Sequence, residues 1–426
     1  MHVGLNLIYL VPGETGGMEV YARELIPALL EAAPQTRFTA FINREAAAAA
    51  GGPWGELLPA VTVPVNARRR EQWVFGEQAL LPGLAARAGV NIVHSFASTA
   101  PAWGRFRRVL TVHDLIYARF PEAHSGIRDR GMRVLVPLAV RRSRRVIAIS
   151  RSTRHDLMEL LGTSSSKIDV VPHGLGAVRR APALSEAQTR TRLRLQAGRR
   201  VLLALSAKRP HKNLLALIGA LARIPPERRP LLVLPGYPTW HEAQLRERAA
   251  ELGVAQDVRL EGWLAAEELE GLWALADAFV YPSLYEGFGL PVLEAMARGV
   301  PVACAEASSL PEVADDAALL FDPRSESEIA LAIERLLGDP SLAQTLRARG
   351  AARAREFTWQ RTARLTLDSY ARTYAPARPD EPPVGSGELP VEPGAPAVGS
   401  DEEPVGSEEA RYDGAPADGE GGAPLP

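Results

Sequence analysis

Short, almost wholly apolar runs, each followed by a stretch of helical character, constrain this chain more than any other feature. In the first half they are VGLNLIYL, FTAFI, NIVHSF, RVLTVHD, RVIAIS and DVVPHG. In the second half they are RVLLALSA, PLLVLPG, VRLEG, AFVYPS, PVACA and ALLFDP. Continuous apolarity, as opposed to alternation, is what a strand needs when helices cover both faces of its sheet. Two such series in succession predict an α/β chain with two doubly wound parallel sheets. A length of 426 residues likewise exceeds one ordinary core.

The polar stretch from Ala181 to Gly198 marks the passage between the two series. The sequence therefore divides into a first domain over 1–180 and a second over 181–356, followed by a helical segment over 357–375 and a tail over 376–426. The tail is rich in Pro, Gly, Glu, Ala and Ser, with V-G-S recurring at Val384, Val398 and Val405. With almost no large apolar side chains it cannot offset its ordering entropy, and disorder is expected. The tail also distorts the charge. It carries two arginines and twelve acidic residues, a net of −10, so the overall −1 leaves +9 on residues 1–375. Arginines cluster at 68–70, 105–108, 128–133 and 141–145. No recognition helix or aromatic RNA-binding signature accompanies them, so nucleic acid is not an expected partner. A solvated face or an anionic membrane surface accounts for them instead. No apolar run is long enough to span a bilayer, the N-terminus reads as a first strand and not a signal peptide, and the single Cys304 lies in an apolar run; a cytoplasmic location is expected. The mixed apolar and arginine segment from Ile127 to Arg142 is either a buried helix with solvated flanks or a peripheral membrane contact, with Pro137 expected to interrupt any long helix.

Chemistry concentrates in EGFGLPVLE, Glu286 to Glu294. Pro291 suits the first turn of a helix and Gly299 its end. The turn Gly287-Phe288-Gly289, leading into Leu290, would then offer backbone N–H groups at a helix N-terminus to an anion. Glu294, one turn into the helix, is placed to accept hydrogen bonds from a ribose diol, and Glu286 to reach a sugar hydroxyl. The segment reads as a clamp for a nucleotide sugar, against the plainer reading of two solvated glutamates on a strand-turn-helix. The glycine-rich loop at Gly16 and Gly17 opens a further helix, and its spacing does not fit a dinucleotide fingerprint. His113, in TVHDL at a strand end, can be structural or can touch the transferred sugar. Only three lysines occur, and Lys208 and Lys212 fall together in KRPHK with Arg209, a cationic group suited to a diphosphate leaving group. No D-x-D pair, zinc-spaced Cys/His cluster, Walker A loop or hydrolase elbow is present. Neither a metal nor any cofactor is therefore expected.

In order along the chain, GGMEVYARELIPAL, TVHDL, KRPHKNL, the E-x7-E segment and GVPVACAEASSLPEVADDAALLFDP resemble the retaining glycosyltransferases of the large family called GT4, over roughly residues 1–370. The resemblance implies a GT-B fold, two facing Rossmann-like domains with a cleft between them, and a last helix that crosses back to the first domain. It implies transfer of a hexose from a nucleotide-diphosphate sugar to a saccharide or lipid-linked acceptor, in polysaccharide or glycolipid assembly. Retention would follow front-face attack, with the leaving phosphate taking the acceptor's proton. His113 matches the family's sugar-contacting histidine and Lys212 its phosphate-binding lysine. The family's usual arginine five residues earlier is Ala207 here, which leaves Lys208 and Arg209 as alternatives. The catalytic set is thus His113, Glu286, Lys212 and Arg209. The donor-binding set is Gly16, Gly17, Lys208, Phe288, Gly289, Leu290 and Glu294. TVHDLIYARFPEAHS resembles mannosyltransferase-type members, favouring GDP-mannose over UDP-glucose. A non-catalytic nucleotide-sugar-binding protein and a GT-B epimerase or phosphorylase are the competing readings.

Overall fold

Every one of those apolar runs is a strand in the structure, a computed structural model that describes residues 1–49, 52–120, 127–176 and 184–374. The first series forms β1 (His2–Leu7), β2 (Arg37–Ile42), β4 (Ile92–Ser95), β5 (Arg107–Val112), β6 (Arg145–Ala148) and β7 (Ile168–Val170). The second forms β8 (Val201–Leu203), β9 (Leu231–Leu234), β10 (Val258–Leu260), β11 (Ala276–Tyr281), β12 (Val302–Ala305) and β13 (Ala318–Phe321). One further strand, β3 (Ala60–Thr62), escapes a reading based on buried apolar runs because it is a three-residue edge strand that is largely exposed. The acidic tail from 376 onward and the linker residues 177–183 lie outside the described residues.

Two parallel sheets result. The seven-stranded sheet has the order β3-β2-β1-β4-β5-β6-β7 and the six-stranded sheet β10-β9-β8-β11-β12-β13. In each, strand order reverses beside the first strand of the series, between β1 and β4 and between β8 and β11. Ligands bind at such reversals, beyond the carboxyl ends of the strands, because the flanking loops diverge there and leave a crevice. The loops after β1, β5, β8 and β11 carry the sequence motifs, so topology alone gathers them along two facing edges.

The chain returns to its first half at the end. Helix Trp359–Arg372 packs against helix Gly17–Ala32, whose Tyr21, Ala22, Leu25, Ile26 and Leu29 form the buried stripe. Tyr370 is fully buried and pairs with His94 Nδ1 at 2.7 Å, while Ser369 donates to Asp169 at 2.7 Å. Outward and return passages run side by side: Leu175 N–H donates to the Phe357 carbonyl, and Thr362 to the Pro172 carbonyl. Gly174 is required there, since a Cβ would lie 2.3 Å from the Trp359 nitrogen.

Residues Ile127–Arg142 form one helix that runs through Pro137, which corrects the expected interruption. Val136, Ala139 and Val140 anchor it among Leu110, Val112 and Leu115. The hydrogen bond that proline removes would have ended at the carbonyl of exposed Arg133, where solvent can replace it. Among the described residues no helix is long and apolar enough to cross a membrane.

Candidate active site between the two sheets

The EGFG turn leaves β11 and enters helix Leu290–Ala297 as its sequence requires. Gly289 is the N-cap at φ +118°, a conformation that favours glycine, and Pro291 occupies the first turn. Among the described residues no side chain caps this helix, so the Gly289 and Leu290 N–H groups stay available. Gly287 has a different reason: a Cβ there would sit 2.0 Å from the carbonyl oxygen of His113, in the facing half. The turn is braced from behind by two serines after β12 that carry no sequence-assigned role. Ser308 accepts from the Glu286 N–H at 2.8 Å, and Ser309 donates to the Glu286 and Phe288 carbonyls at 2.9 and 2.6 Å. The Phe288 ring is buried against Phe357 and His173, so only its backbone can face a nucleotide.

Glu286 and Lys212 are partners. Lys212 Nζ lies 2.6 Å from Glu286 Oε1 and 3.2 Å from the Tyr281 hydroxyl. Burial by itself would raise the Glu286 carboxyl, but the Lys212 ammonium and hydrogen bonds from Lys212, Ser283 and Tyr281 outweigh it and hold the group below its usual range. The Glu286 carboxylate thus stays ionised, and the Lys212 side chain from the loop after β8 is fixed beside the turn after β11. Glu294 differs. It lies half-buried in the helix, and its carboxylate accepts no hydrogen bond among the described residues. Burial raises its carboxyl, Arg298 opposes and Glu270 reinforces. Arg298 is itself held by Glu270 at 2.5 Å and lies over the Trp273 ring. A carboxylate with free acceptor capacity at this depth is suited to a pair of hydroxyl donors.

The cationic trio divides. Lys208 is 0% exposed, donates to the Gly236 and Glu261 carbonyls at 2.8 and 2.6 Å, and sits 3.4 Å from Glu242. Its expected diphosphate contact is therefore corrected: the ammonium is used up tying the loops after β9 and β10 together. Arg209 is exposed at the mouth of the same loop and forms no ion pair among the described residues. Of the two alternatives, it is the one left to meet a phosphate.

In the first half, His113 Nε2 lies 2.7 Å from the Phe96 carbonyl, which assigns the proton to that nitrogen. Burial keeps the ring below its usual pKa, against the opposing effects of the Phe96 carbonyl and Asp114. His173, unassigned by sequence motif, stacks on it at 5.4 Å. Helix Gly17–Ala32 starts at Gly16, φ +64°, again with no side-chain cap and open space around both glycines. The halves touch directly. Tyr285 donates to Asp156 at 2.7 Å and accepts from the Leu115 N–H at 3.1 Å, while Glu312 accepts from the Arg151 and Ser152 N–H groups at 3.0 Å each. Among the described residues, no group of three His, Cys, Asp or Glu side chains is arranged to hold a metal.

Residues 185–355 match the family model described as Glycosyl transferases group 1, and residues 15–177 match Glycosyltransferase Family 4. The chain is 34% identical over 278 residues to the O-antigen chain mannosyltransferase B of Escherichia coli, spanning 62% of this chain and 70% of that one. It is 30% identical over 403 residues to the D-inositol 3-phosphate glycosyltransferase of Frankia alni, spanning 86% and 96%. Among solved structures, Anabaena HepE in complex with UDP-glucose superposes with a TM-score of 0.66 at 22% identity, over 87% of this chain and all of that one.

Proposed function

The chain belongs to the group 1, family 4 glycosyltransferases and is a hexosyltransferase of GT-B fold; from that premise we propose that it transfers a hexose, with retention, from a nucleotide-diphosphate sugar. The observation that carries the proposal is the coexistence of the Glu286–Lys212 pair, the uncapped helix at Gly289 and the unpartnered Glu294 carboxylate within one segment of chain and its neighbour. Glu294 takes the ribose diol. The amide groups of Gly289 and Leu290, with Lys212 and Arg209, take the diphosphate. As the glycosidic bond to phosphate breaks, charge grows on the leaving oxygens, and the fixed cation and helix dipole stabilise it. His113, Glu286 and the Gly16–Gly17 loop face the sugar and the acceptor from either side. Among the described residues no side-chain nucleophile and base pair stands at the turn, which supports front-face attack with the leaving phosphate accepting the acceptor's proton.

Mannose from GDP-mannose is the donor we favour, on the strength of TVHDLIYARFPEAHS and of mannosyltransferase relatives; the UDP-glucose complex of a structural neighbour keeps UDP-glucose as the alternative. The acceptor is a saccharide or lipid-linked saccharide in glycan assembly. The exposed Arg133, Val134, Arg141 and Arg142 of helix Ile127–Arg142 offer it a basic, partly apolar approach to an anionic membrane. Proton NMR of the first-formed product tests the proposal: the anomeric configuration of the donor is kept, and activity persists in EDTA. An inverted product, or loss in EDTA restored by magnesium, would overturn the corresponding part.

A further inference from the structure

His173 is 4% exposed and stands at the start of the passage from the first sheet to the second. Its neighbours are rings. Tyr21 lies at 4.9 Å, Phe288 of the turn at 5.2 Å, His113 at 5.4 Å and Trp359 of the return passage at 5.8 Å, centroid to centroid. Nδ1 is buried without a partner, and neither ring nitrogen hydrogen-bonds to a described residue. This is an odd choice of side chain. In a cluster of aromatic rings a phenylalanine would pack as well and leave no polar atom unpaired. The neighbouring histidines are not like it: His113 is bound to the Phe96 carbonyl, and His94 to Tyr370 and Thr111. Burial keeps His173 uncharged, which disfavours a phosphate role, and Lys212 and Arg209 already serve that end. What remains is a neutral imidazole, parallel to His113 within 19° and touching the ring of the donor turn.

We propose that His173 is a second sugar-contacting residue, whose imidazole hydrogen-bonds to a hydroxyl of the transferred hexose beside His113. The assignment rests on the donor reading above. A neutral imidazole both donates and accepts, so it matches a hydroxyl in either sense. Its place between His113 and Phe288 puts it where the sugar passes from the diphosphate toward the acceptor half. Nδ1 has no exposed surface while the rings of Tyr21, His113, Phe288 and Trp359 enclose it, so the hydrogen bond forms only as the halves part to admit donor, and it then satisfies an atom that the protein alone leaves unpaired.

The test is His173→Phe, compared with wild type by calorimetry against GDP and GDP-mannose, by transfer kinetics and by thermal unfolding; the same series is run with UDP and UDP-glucose. Phenylalanine preserves the ring cluster, so thermal stability is expected to hold or rise. GDP affinity should stay within about twofold, whereas GDP-mannose affinity and kcat/KM fall about tenfold or more. His173→Gln, which keeps a hydrogen-bonding group, should lose less; it decides by the same readings if the phenylalanine variant does not fold. Unchanged transfer would overturn the assignment, because packing would then be the whole role. Equal loss for GDP and GDP-mannose would overturn it too, since the ring would be serving the turn. A rise confined to acceptor KM would assign the contact to the acceptor and likewise overturn it. If wild type binds neither nucleotide sugar, the donor reading fails and this assignment falls with it; binding that His173→Phe leaves intact defeats the assignment alone.

Discussion

Lys212 and Glu286 act as one unit, joined at 2.6 Å and each largely buried. From sequence they look separable, the lysine for diphosphate and the glutamate for sugar. The geometry couples them: removing either leaves the other charged and unpaired in a low-dielectric crevice. Lys212→Ala and Glu286→Ala should each weaken donor binding, and the double variant should lose less than the sum, with a coupling of about 1–3 kcal/mol. Calorimetric titration of all four proteins checks this, and additive losses would contradict it. At Gly287 the argument is steric. A methyl group would meet the His113 carbonyl at 2.0 Å, so Gly287→Ala should push the turn from the facing half and lower kcat about 10²-fold. Wild-type kcat in that variant would show that the contact has no part in catalysis. The strand-turn-helix that carries Glu286 and Glu294 was legible because its glycines and Pro291 mark where such a turn ends and a helix begins. Lys208 was not, because spacing within KRPHK cannot say which way an ammonium points. His173 carried no motif at all; its meaning comes from neighbours distant in sequence.

At the scale of elements, the loops after β9 and β10 depend on Lys208. Replacing it with methionine would leave the Gly236 and Glu261 carbonyls without their donor and Glu242 with Arg246 as its remaining partner. Lys208→Met should cost about 3 kcal/mol in urea unfolding while the folded protein keeps its donor affinity. A stable variant that no longer binds donor would restore the lysine to the phosphate site. Glu312 plays a related part between the halves: its carboxylate meets the first N–H groups of helix Arg151–Leu161. The strands were legible nearly throughout, since burial on both faces writes continuous apolar runs. β3 was not, because an exposed edge strand needs no such run. The helix through Pro137 was also misjudged, because packing of Val136, Ala139 and Val140 outweighs one lost backbone bond.

Across the whole molecule, buried histidines set the response to acid. His94 is brought down to about 3 by burial, and burial also lowers His113, His173 and His2. In the unfolded chain each takes a proton near pH 6.5 that the folded protein refuses, so stability is lost as pH falls below that value. Glu77 and Glu294 act oppositely. Burial lifts Glu77 to about 7 and raises Glu294 as well, so the fold holds protons there that the unfolded chain releases above its ordinary carboxyl range. The four histidines outnumber these two carboxyls, and unfolding free energy should fall between pH 6.5 and 5 by about 1.4 kcal/mol per pH unit for each net proton. Urea titrations at both pH values check the sign; a flat or rising profile would contradict it. The central claim, however, is that the two sheets present one clamp for a nucleotide sugar. Its most direct test is calorimetric titration of GDP-mannose and UDP-glucose into wild-type protein and Glu294→Ala. The account predicts saturable binding of one donor by wild type and a loss of about tenfold or more in the variant, with the fold intact. Equal affinity in the two proteins, or no binding of either donor by wild type, would contradict it.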